Sequence, residues 1–119
     1  MLREERRLRS AEDFKKVYLE GRGVRGRFIT LRFKRGRKEI TRFGLAPARI
    51  IRSAVMRNRL KRRIREICRA YQDDVKHNYD IVINISSAAV NASYRELEKD
   101  FLYVMRRAGL LEIKSREQQ

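Results

Sequence analysis

Residues 53–71 read SAVMRNRLKRRIREICRAY, and this stretch decides most of the fold. Its apolar residues recur at i, i+4, i+7, i+8 and i+11, which is the spacing of one face of an α-helix. The stripe consists of Leu60, Ile64, Ile67, Cys68 and Tyr71. The stretch therefore predicts a helix of about five turns whose apolar stripe packs against the rest of the domain.

The opposite side of this helix is basic. Four residues lie there within about 60° of one another at 3.6 residues per turn, and two more flank them: Asn58, Arg62, Arg65 and Arg69, with Arg59 and Lys61 at the sides. Arg57 falls beside the apolar stripe, where the helix should meet a sheet. Surface helices usually place acids at i,i+4 to relieve repulsion, but the acid here is Glu66 alone. Such a row indicates an anionic partner, with nucleic acid the natural candidate.

The residues after the helix predict a strand and a second helix. Residues 79–85 alternate so that three isoleucines share one strand face. Ser93 and Glu96 match a capping box, and an apolar stripe at helical spacing runs from Leu97 to Ala108 before Gly109 ends the helix.

The residues before the helix predict one helix and a hairpin. Ser10 is a candidate N-cap and Gly21 a candidate stop. Residues 24–34 are rich in β-formers, residues 35–38 resemble a hairpin turn, and residues 40–46 give the return strand. Pro47 should end that strand or lie on a sheet edge. The order of elements predicts an α+β domain with a single layer of helices against one sheet.

Composition bounds the class of protein. The 119 residues form one domain, 1–119, and 31 Lys and Arg against 15 Asp and Glu give a net charge of +16. Residues 1–71 hold 24 basic and 7 acidic side chains, so they carry the whole excess. One cysteine excludes a disulfide framework, and the short apolar runs exclude a membrane span. The N-terminus lacks the apolar stretch of a signal peptide. We expect a soluble, reduced, cytoplasmic protein.

The 54–66 stretch, AVMRNRLKRRIRE, resembles the signature helix of the bacterial ribonuclease P protein component. Two further stretches carry the same resemblance. LRS at 8–10 followed by EDFKKVY at 12–18 looks like the opening helix of that family, and RFGL at 42–45 looks like its strand before the arginine-rich helix. The resemblance covers residues 8 to about 110 and includes length, charge and element order.

The resemblance implies a single-domain αβββαβα sandwich, like domain 2 of ribosomal protein S5, with helices on a mostly antiparallel sheet. It implies a protein subunit that binds a catalytic RNA and the 5′ leader of precursor tRNA, in a ribonucleoprotein that removes the leader. Mg²⁺ would be held mainly by the RNA subunit, with no organic cofactor. The expected complex is one protein per RNA, away from membranes. We expect residues 1–8 and 113–119 to be flexible.

The resemblance also assigns residues, none of them catalytic or metal-ligating. Those expected to bind the catalytic RNA are Asn58, Arg59, Lys61, Arg62 and Arg65, to which the helical wheel adds Arg69. Those expected to bind the leader are Phe14, Tyr18, Phe28 and Arg57. The sequence departs from the family at Leu31, where an aromatic is frequent, and over residues 46–53, where Ala46 lacks a hydroxyl and Arg52 replaces a flexible turn.

Other functions explain the charge as well. A structural RNA-binding protein of ribosomal type, with no enzymatic role, would need no leader cleft. A DNA-binding regulator would mix base-reading side chains along the exposed helix face, where only Asn58 is found. A membrane-active helix would want bulky aromatics on its apolar side beyond Tyr71. His77 fits a surface loop better than a general base, and no carboxylate cluster suggests that the protein cuts RNA unaided.

Overall fold

The computed structural model describes residues 2–112 and has the element order αβββαβα. Short 3₁₀ turns at Glu4–Arg6, Gln72–Asp74 and Ser87–Asn91 connect or precede the main elements. The main elements are α1 Ala11–Glu20, β1 Arg22–Arg25, β2 Ile29–Arg35, β3 Arg42–Pro47, α2 Ala54–Tyr71, β4 Tyr79–Ile85 and α3 Tyr94–Arg107. The predicted α+β class and element order are confirmed.

The four strands form one sheet in the order β1-β2-β4-β3. Strand β2 is antiparallel to both β1 and β4, whereas β3 is parallel to β4. A parallel pair needs a long crossover, and α2 supplies it. The predicted hairpin between residues 24–34 and 40–46 is therefore wrong, because β4 lies between those strands. The hairpin is formed instead by β1 and β2 around residues 26–28, where the Gly26 N–H donates to the Ile29 carbonyl at 2.8 Å.

Helices cover both faces of the sheet. The side chains of Ile81, Ile83 and Ile85 belong to the main core, which α2 and α3 complete. Val82, between them, points to the other face and packs with Val17 of α1 in a smaller cluster. Successive strand residues alternate between faces, so a strand that is apolar on both must be buried on both. The predicted single layer of helices is wrong, and the structure is a sandwich.

The ends of the helices follow local signals in the sequence. Ser10 and Ser53 accept backbone N–H bonds as N-caps of α1 and α2. Ser93 and Glu96 form the predicted reciprocal capping box at the start of α3. Gly109 follows α3 with a φ of +74°, a conformation that glycine adopts without strain. Pro47 ends β3 at the sheet edge, as predicted.

The N-terminal segment is docked onto the domain. Leu2 and Leu8 are buried, and the Leu8 N–H donates to the Phe43 carbonyl at 2.8 Å. Two apolar side chains and an added bridge beside β3 hold residues 2–8 against the domain. The expected flexibility of residues 1–8 stays a prediction. The corresponding expectation for 113–119 lies outside the described residues.

A buried carboxylate ties α3 to the β1–β2 hairpin. Asp100 accepts the backbone N–H groups of Arg27, Phe28 and Ile29 at 2.9, 2.8 and 3.0 Å. These three donors lie where the hairpin turns into β2, and those of Phe28 and Ile29 are buried. The carboxylate thus supplies acceptors for buried backbone N–H groups.

We predict that Asp100→Ala lowers the free energy of unfolding by about 3 kcal/mol, because it leaves buried backbone N–H groups without an acceptor. Asp100→Asn, which keeps one acceptor oxygen, should cost less. Urea unfolding monitored by circular dichroism measures both, with the exposed Arg95→Ala on the same helix as control. Equal stability of Asp100→Ala and Arg95→Ala would contradict the role assigned to the carboxylate.

Candidate nucleic-acid interface

The outward side of α2 is a continuous basic surface, as the helical wheel predicts. The predicted stripe from Leu60 to Tyr71 is buried against the sheet and α3. We call the opposite side the arginine face; it consists of Asn58, Arg62, Arg65 and Arg69. Arg59 is also exposed, and Lys61 is partly exposed at its edge. The first turn of α2 contains no acidic residue, so the positive end of the helix dipole is not offset there.

The docked N-terminal segment adds two cations to the arginine face. The pKa of Arg65 is lowered, first by its partial burial and then by the positive charges of Arg7 and Arg9. Arg65 also lines a depression of about 300 Å³ with Asn58, Arg62 and Glu66. Arg7 donates to the Leu2 carbonyl at 3.1 Å, and Arg9 pairs with Glu4 at 2.9 Å. Sequence reasoning missed Arg7 and Arg9. Their signal was the alternation Arg7-Leu8-Arg9, which turns both arginines away from the side on which Leu8 is buried; Arg9 is exposed and Arg7 partly exposed.

Two arginines of α2 form hydrogen bonds to backbone carbonyl groups of the domain. The Arg57 guanidinium donates to the carbonyl oxygens of Ala48 and Ile51 at 2.9 and 3.2 Å. Arg63 donates to the Ala92 carbonyl at 3.3 Å. Arg57 therefore lies where the helix meets the loop after β3, as its wheel position predicts, and it fixes the start of α2 against that loop.

The side of the sheet that carries α1 forms a second surface. Tyr18 is 37% exposed, and its hydroxyl donates to the Asn84 amide oxygen at 3.2 Å. The Arg32 guanidinium carbon lies 5.6 Å from the centre of the Tyr18 ring, which is the geometry of a cation–π contact. Strand pairing places Thr30, Asn84 and Ala46 in one row across this side. We call these five residues the α1-side surface.

Arg57 and Tyr18 lie at the same end of the sheet. Asn84, the partner of Tyr18, pairs with Ala46 near the end of β3. Ala48, two residues later, accepts from Arg57. The structure therefore brings these two predicted leader residues to one end of the α1-side surface.

Phe14 lies half-buried beneath the α1-side surface. Its ring packs with Leu8, Val17 and Val82. It also covers Gly44 so closely that a Cβ on that glycine would lie 2.5 Å from the ring. Phe14 is thus a packing residue of α1, and its contact with a leader stays a prediction.

Phe28 is not part of the α1-side surface. It precedes β2, is buried in the main core with Arg27 stacked 4.8 Å above its ring, and lies beside α3. The structure does not bring Phe28 together with Tyr18, because the hairpin turn directs the Phe28 ring to the opposite face of the sheet. Its contact with a leader stays a prediction. Leu31 is fully buried on that same opposite face, so its departure from the family pattern removes nothing from the α1 side.

A salt-bridge network fixes α1 on the sheet. Arg42 of β3 forms two hydrogen bonds to Asp80 of β4, at 3.0 and 2.9 Å, and a third, at 3.4 Å, to Asp13 of α1. The hydrogen bonding to Asp80, followed by the nearby carboxylate charges, raises the pKa of Arg42. The network sets the position of α1, and hence of Tyr18, over the α1-side surface.

Within residues 2–112 no cluster of three or more His, Cys, Asp and Glu side chains could hold a metal ion. In the same range no helix combines the length and apolar character needed to cross a membrane.

Cys68 is fully buried, as its place on the apolar stripe predicts, and burial raises the pKa of its thiol. His77 is exposed in the loop before β4.

Comparison with known proteins decides the family. A model of the ribonuclease P protein family matches residues 2–109. The chain belongs to this family. A ribonuclease P protein component from Syntrophomonas wolfei is 34% identical over 110 residues, covering 92% of each chain. The protein of that name from a Pseudanabaena species is 34% identical over 113 residues, covering 93% of this chain and 97% of its own.

Solved structures of ribonuclease P proteins share the fold. The Staphylococcus aureus protein superposes with a TM-score of 0.83 at 21% identity, covering 90% of this chain and 98% of its own. The Thermotoga maritima protein gives a TM-score of 0.77 at 25% identity, covering 85% and 96%. The chain is thus a protein subunit of the ribonuclease P ribonucleoprotein, the endonuclease of tRNA 5′ maturation, and its partner is the ribonuclease P RNA. The ribosomal-type alternative is not favoured.

The packing of Phe14 on Gly44 gives a direct test of how α1 is held. Gly44→Ala should lower the free energy of unfolding by about 1–3 kcal/mol, because the added methyl group displaces the ring. In a Phe14→Ala background the same substitution should cost much less. The two variants and their combination, unfolded in urea, form a double-mutant cycle. Additive effects would show that the ring does not lie on Gly44.

Proposed function

We propose that the arginine face binds the ribonuclease P RNA. The observation that carries this proposal is the row of Arg62, Arg65 and Arg69 on the outward side of α2, to which Arg7 and Arg9 add positive charge near Arg65. Like charges held together in a partly buried position are destabilising unless an anion lies against them, and phosphates provide that anion. Guanidinium groups suit this task because they contact phosphate oxygens in pairs.

The 5′ leader of precursor tRNA would contact the α1-side surface. Tyr18 offers a half-exposed ring, and Arg32 lies over it with its charge available to a phosphate. Unpaired bases stack on aromatic faces while cations hold the backbone, so this combination suits a single strand. Arg57 would fix the loop at the end of this surface through its hydrogen bonds to the Ala48 and Ile51 carbonyl oxygens.

The hydrolytic chemistry would belong to the RNA subunit, with Mg²⁺ held mainly there. The half-buried and buried carboxylates of the protein support this division. Asp13 and Asp80 are engaged by Arg42, and Asp100 by three backbone amides. We further propose one protein per RNA, acting in the cytoplasm without an organic cofactor.

We predict that the double variant Arg62→Ala/Arg65→Ala weakens assembly with the catalytic RNA and flattens its salt dependence. If about six phosphates are neutralised, log K should fall with log salt with a slope near −4 to −5, and each lost contact should reduce the slope by about one. Filter binding over a series of salt concentrations measures both quantities.

The matched control for this experiment is Arg37→Ala/Lys38→Ala, which removes the same charge from the exposed loop between β2 and β3. It should change the affinity little and leave the slope near that of the wild type. Equal losses in the two double variants would mean that net charge, and not the arginine face, binds the RNA.

We predict that Tyr18→Ala weakens binding of precursor tRNA to the holoenzyme by about 1–3 kcal/mol, the value of one stacked base. The loss should occur only for precursors whose leader is several nucleotides long. Tyr18→Phe keeps the ring and loses only the bond to Asn84, so it should stay close to wild type. A loss of equal size for mature tRNA, with the fold intact by circular dichroism, would remove the α1-side surface as the leader site.

A further inference from the structure

The outer side of α3 carries a stripe of cations around an exposed tyrosine. Its residues follow one another at i, i+4, i+7 and i+8, so they share one face of the helix. We call them the α3 stripe: Lys99, Tyr103, Arg106 and Arg107. All four are exposed, Tyr103 at 50%. The residues that α3 buries are on its other side.

The stripe reflects a separation of charge within a nearly neutral part of the chain. Residues 72–119 hold 7 basic and 8 acidic side chains. Three of those acidic side chains form hydrogen bonds or ion pairs within the protein. Asp80 binds Arg42, Asp100 accepts three backbone amides, and Glu98 accepts from the Tyr71 hydroxyl. Lys99, Arg106 and Arg107 remain exposed, so the outer side of α3 presents cations although the segment as a whole is nearly neutral.

The stripe borders two adjoining depressions. One, of about 410 Å³, is lined by Lys99, Leu102, Tyr103, Arg106 and Arg107. The other, of about 340 Å³, shares Lys99 and Tyr103 and extends to Arg27, which lies over the Phe28 ring. Two carboxylates also line it: Glu96, which accepts the Ser93 N–H at 2.9 Å and lies 4.0 Å from Arg27, and Asp100, which accepts three backbone N–H groups. A path with cations at both ends therefore runs across the Tyr103 ring from Arg27 to Arg107.

Helix stability accounts for only part of this pattern. Cations in the last turn favour the negative end of the helix dipole, which explains Arg106 and Arg107. It does not explain Lys99, which is two turns from that end, or a half-exposed tyrosine between the cations. The Arg107 guanidinium carbon lies 6.0 Å from the centre of the Tyr103 ring, so one side of the ring is held in place beside a positive charge. A second copy of this basic chain would be repelled by the stripe, whereas a polyanion would be attracted.

We propose that the α3 stripe is a second binding surface for single-stranded RNA. An unpaired base would stack on Tyr103, with the flanking phosphates held by Lys99, Arg106, Arg107 and Arg27 across the adjoining depression. From Lys99 to Arg107 the helix rises about 12 Å, enough to follow a short extended segment. The surface is distinct from the two above, because α3 packs over β1 and β2 whereas α2 packs over β3, and because α1 occupies the other face of the sheet.

The test is an NMR titration of the full-length ¹⁵N-labelled protein with an eight-nucleotide oligouridylate. We expect the amide signals of residues 99–107 to shift as a group and to saturate with their own dissociation constant. Tyr103→Ala should weaken that constant about tenfold. Tyr94→Ala, which removes a tyrosine exposed to 41% on the opposite side of the same helix, should leave it unchanged.

Three results would overturn the proposal. They are the absence of shifts at residues 99–107, the same effect for Tyr103→Ala and Tyr94→Ala, or equally tight binding of a duplex RNA, whose paired bases cannot stack on Tyr103. Signals from α2 in the same spectra report the arginine face separately. The arginine-face proposal is therefore tested separately, by the Arg62→Ala/Arg65→Ala variant.

Discussion

Strand β4 must be covered on both faces, and the rest of the structure depends on this. Three isoleucines require one apolar partner layer, which α2 and α3 provide, and Val82 requires another, which α1 provides. The strand lies inside the sheet, between β2 and β3. Each helix then has one side committed to the core and one side left to solvent, and on α2 that outer side is strongly basic.

The fold places like charges side by side and offsets few of them. The guanidinium groups of Arg57 and Arg63 donate hydrogen bonds to backbone carbonyl oxygens, and the guanidinium group of Arg42 donates to two carboxylates. The arginine face keeps a higher density of positive charge, with Glu66 at 4.0 Å from Arg69 as its acidic neighbour. The docked N-terminal segment adds Arg7, which donates to the Leu2 carbonyl, and Arg9, which pairs with Glu4. A protein that concentrates charge at one surface while satisfying it elsewhere is stabilised by a polyanionic partner, which agrees with its family.

Local signals in the sequence predicted the parts of the fold that depend on periodicity and capping. The bounds of β4, the stripe of α2 and the capping box of α3 follow from residues close together in the chain. The pairing of strands does not, because a parallel crossover and a hairpin can join the same two strand patterns. The position of Phe28 could not be predicted for a related reason: the turn before β2 sets which face its ring occupies, and that turn is held by Asp100 from a distant helix.

The most direct test of the account is cleavage of a precursor tRNA by a bacterial ribonuclease P RNA at low Mg²⁺ concentration, with and without this protein. The account predicts that the RNA alone cleaves slowly and that adding the protein restores cleavage at the mature 5′ end. The Arg62→Ala/Arg65→Ala variant should restore it only at much higher protein concentration. A cleavage rate that the wild-type protein leaves unchanged, under conditions where it binds the RNA, would contradict the assigned function.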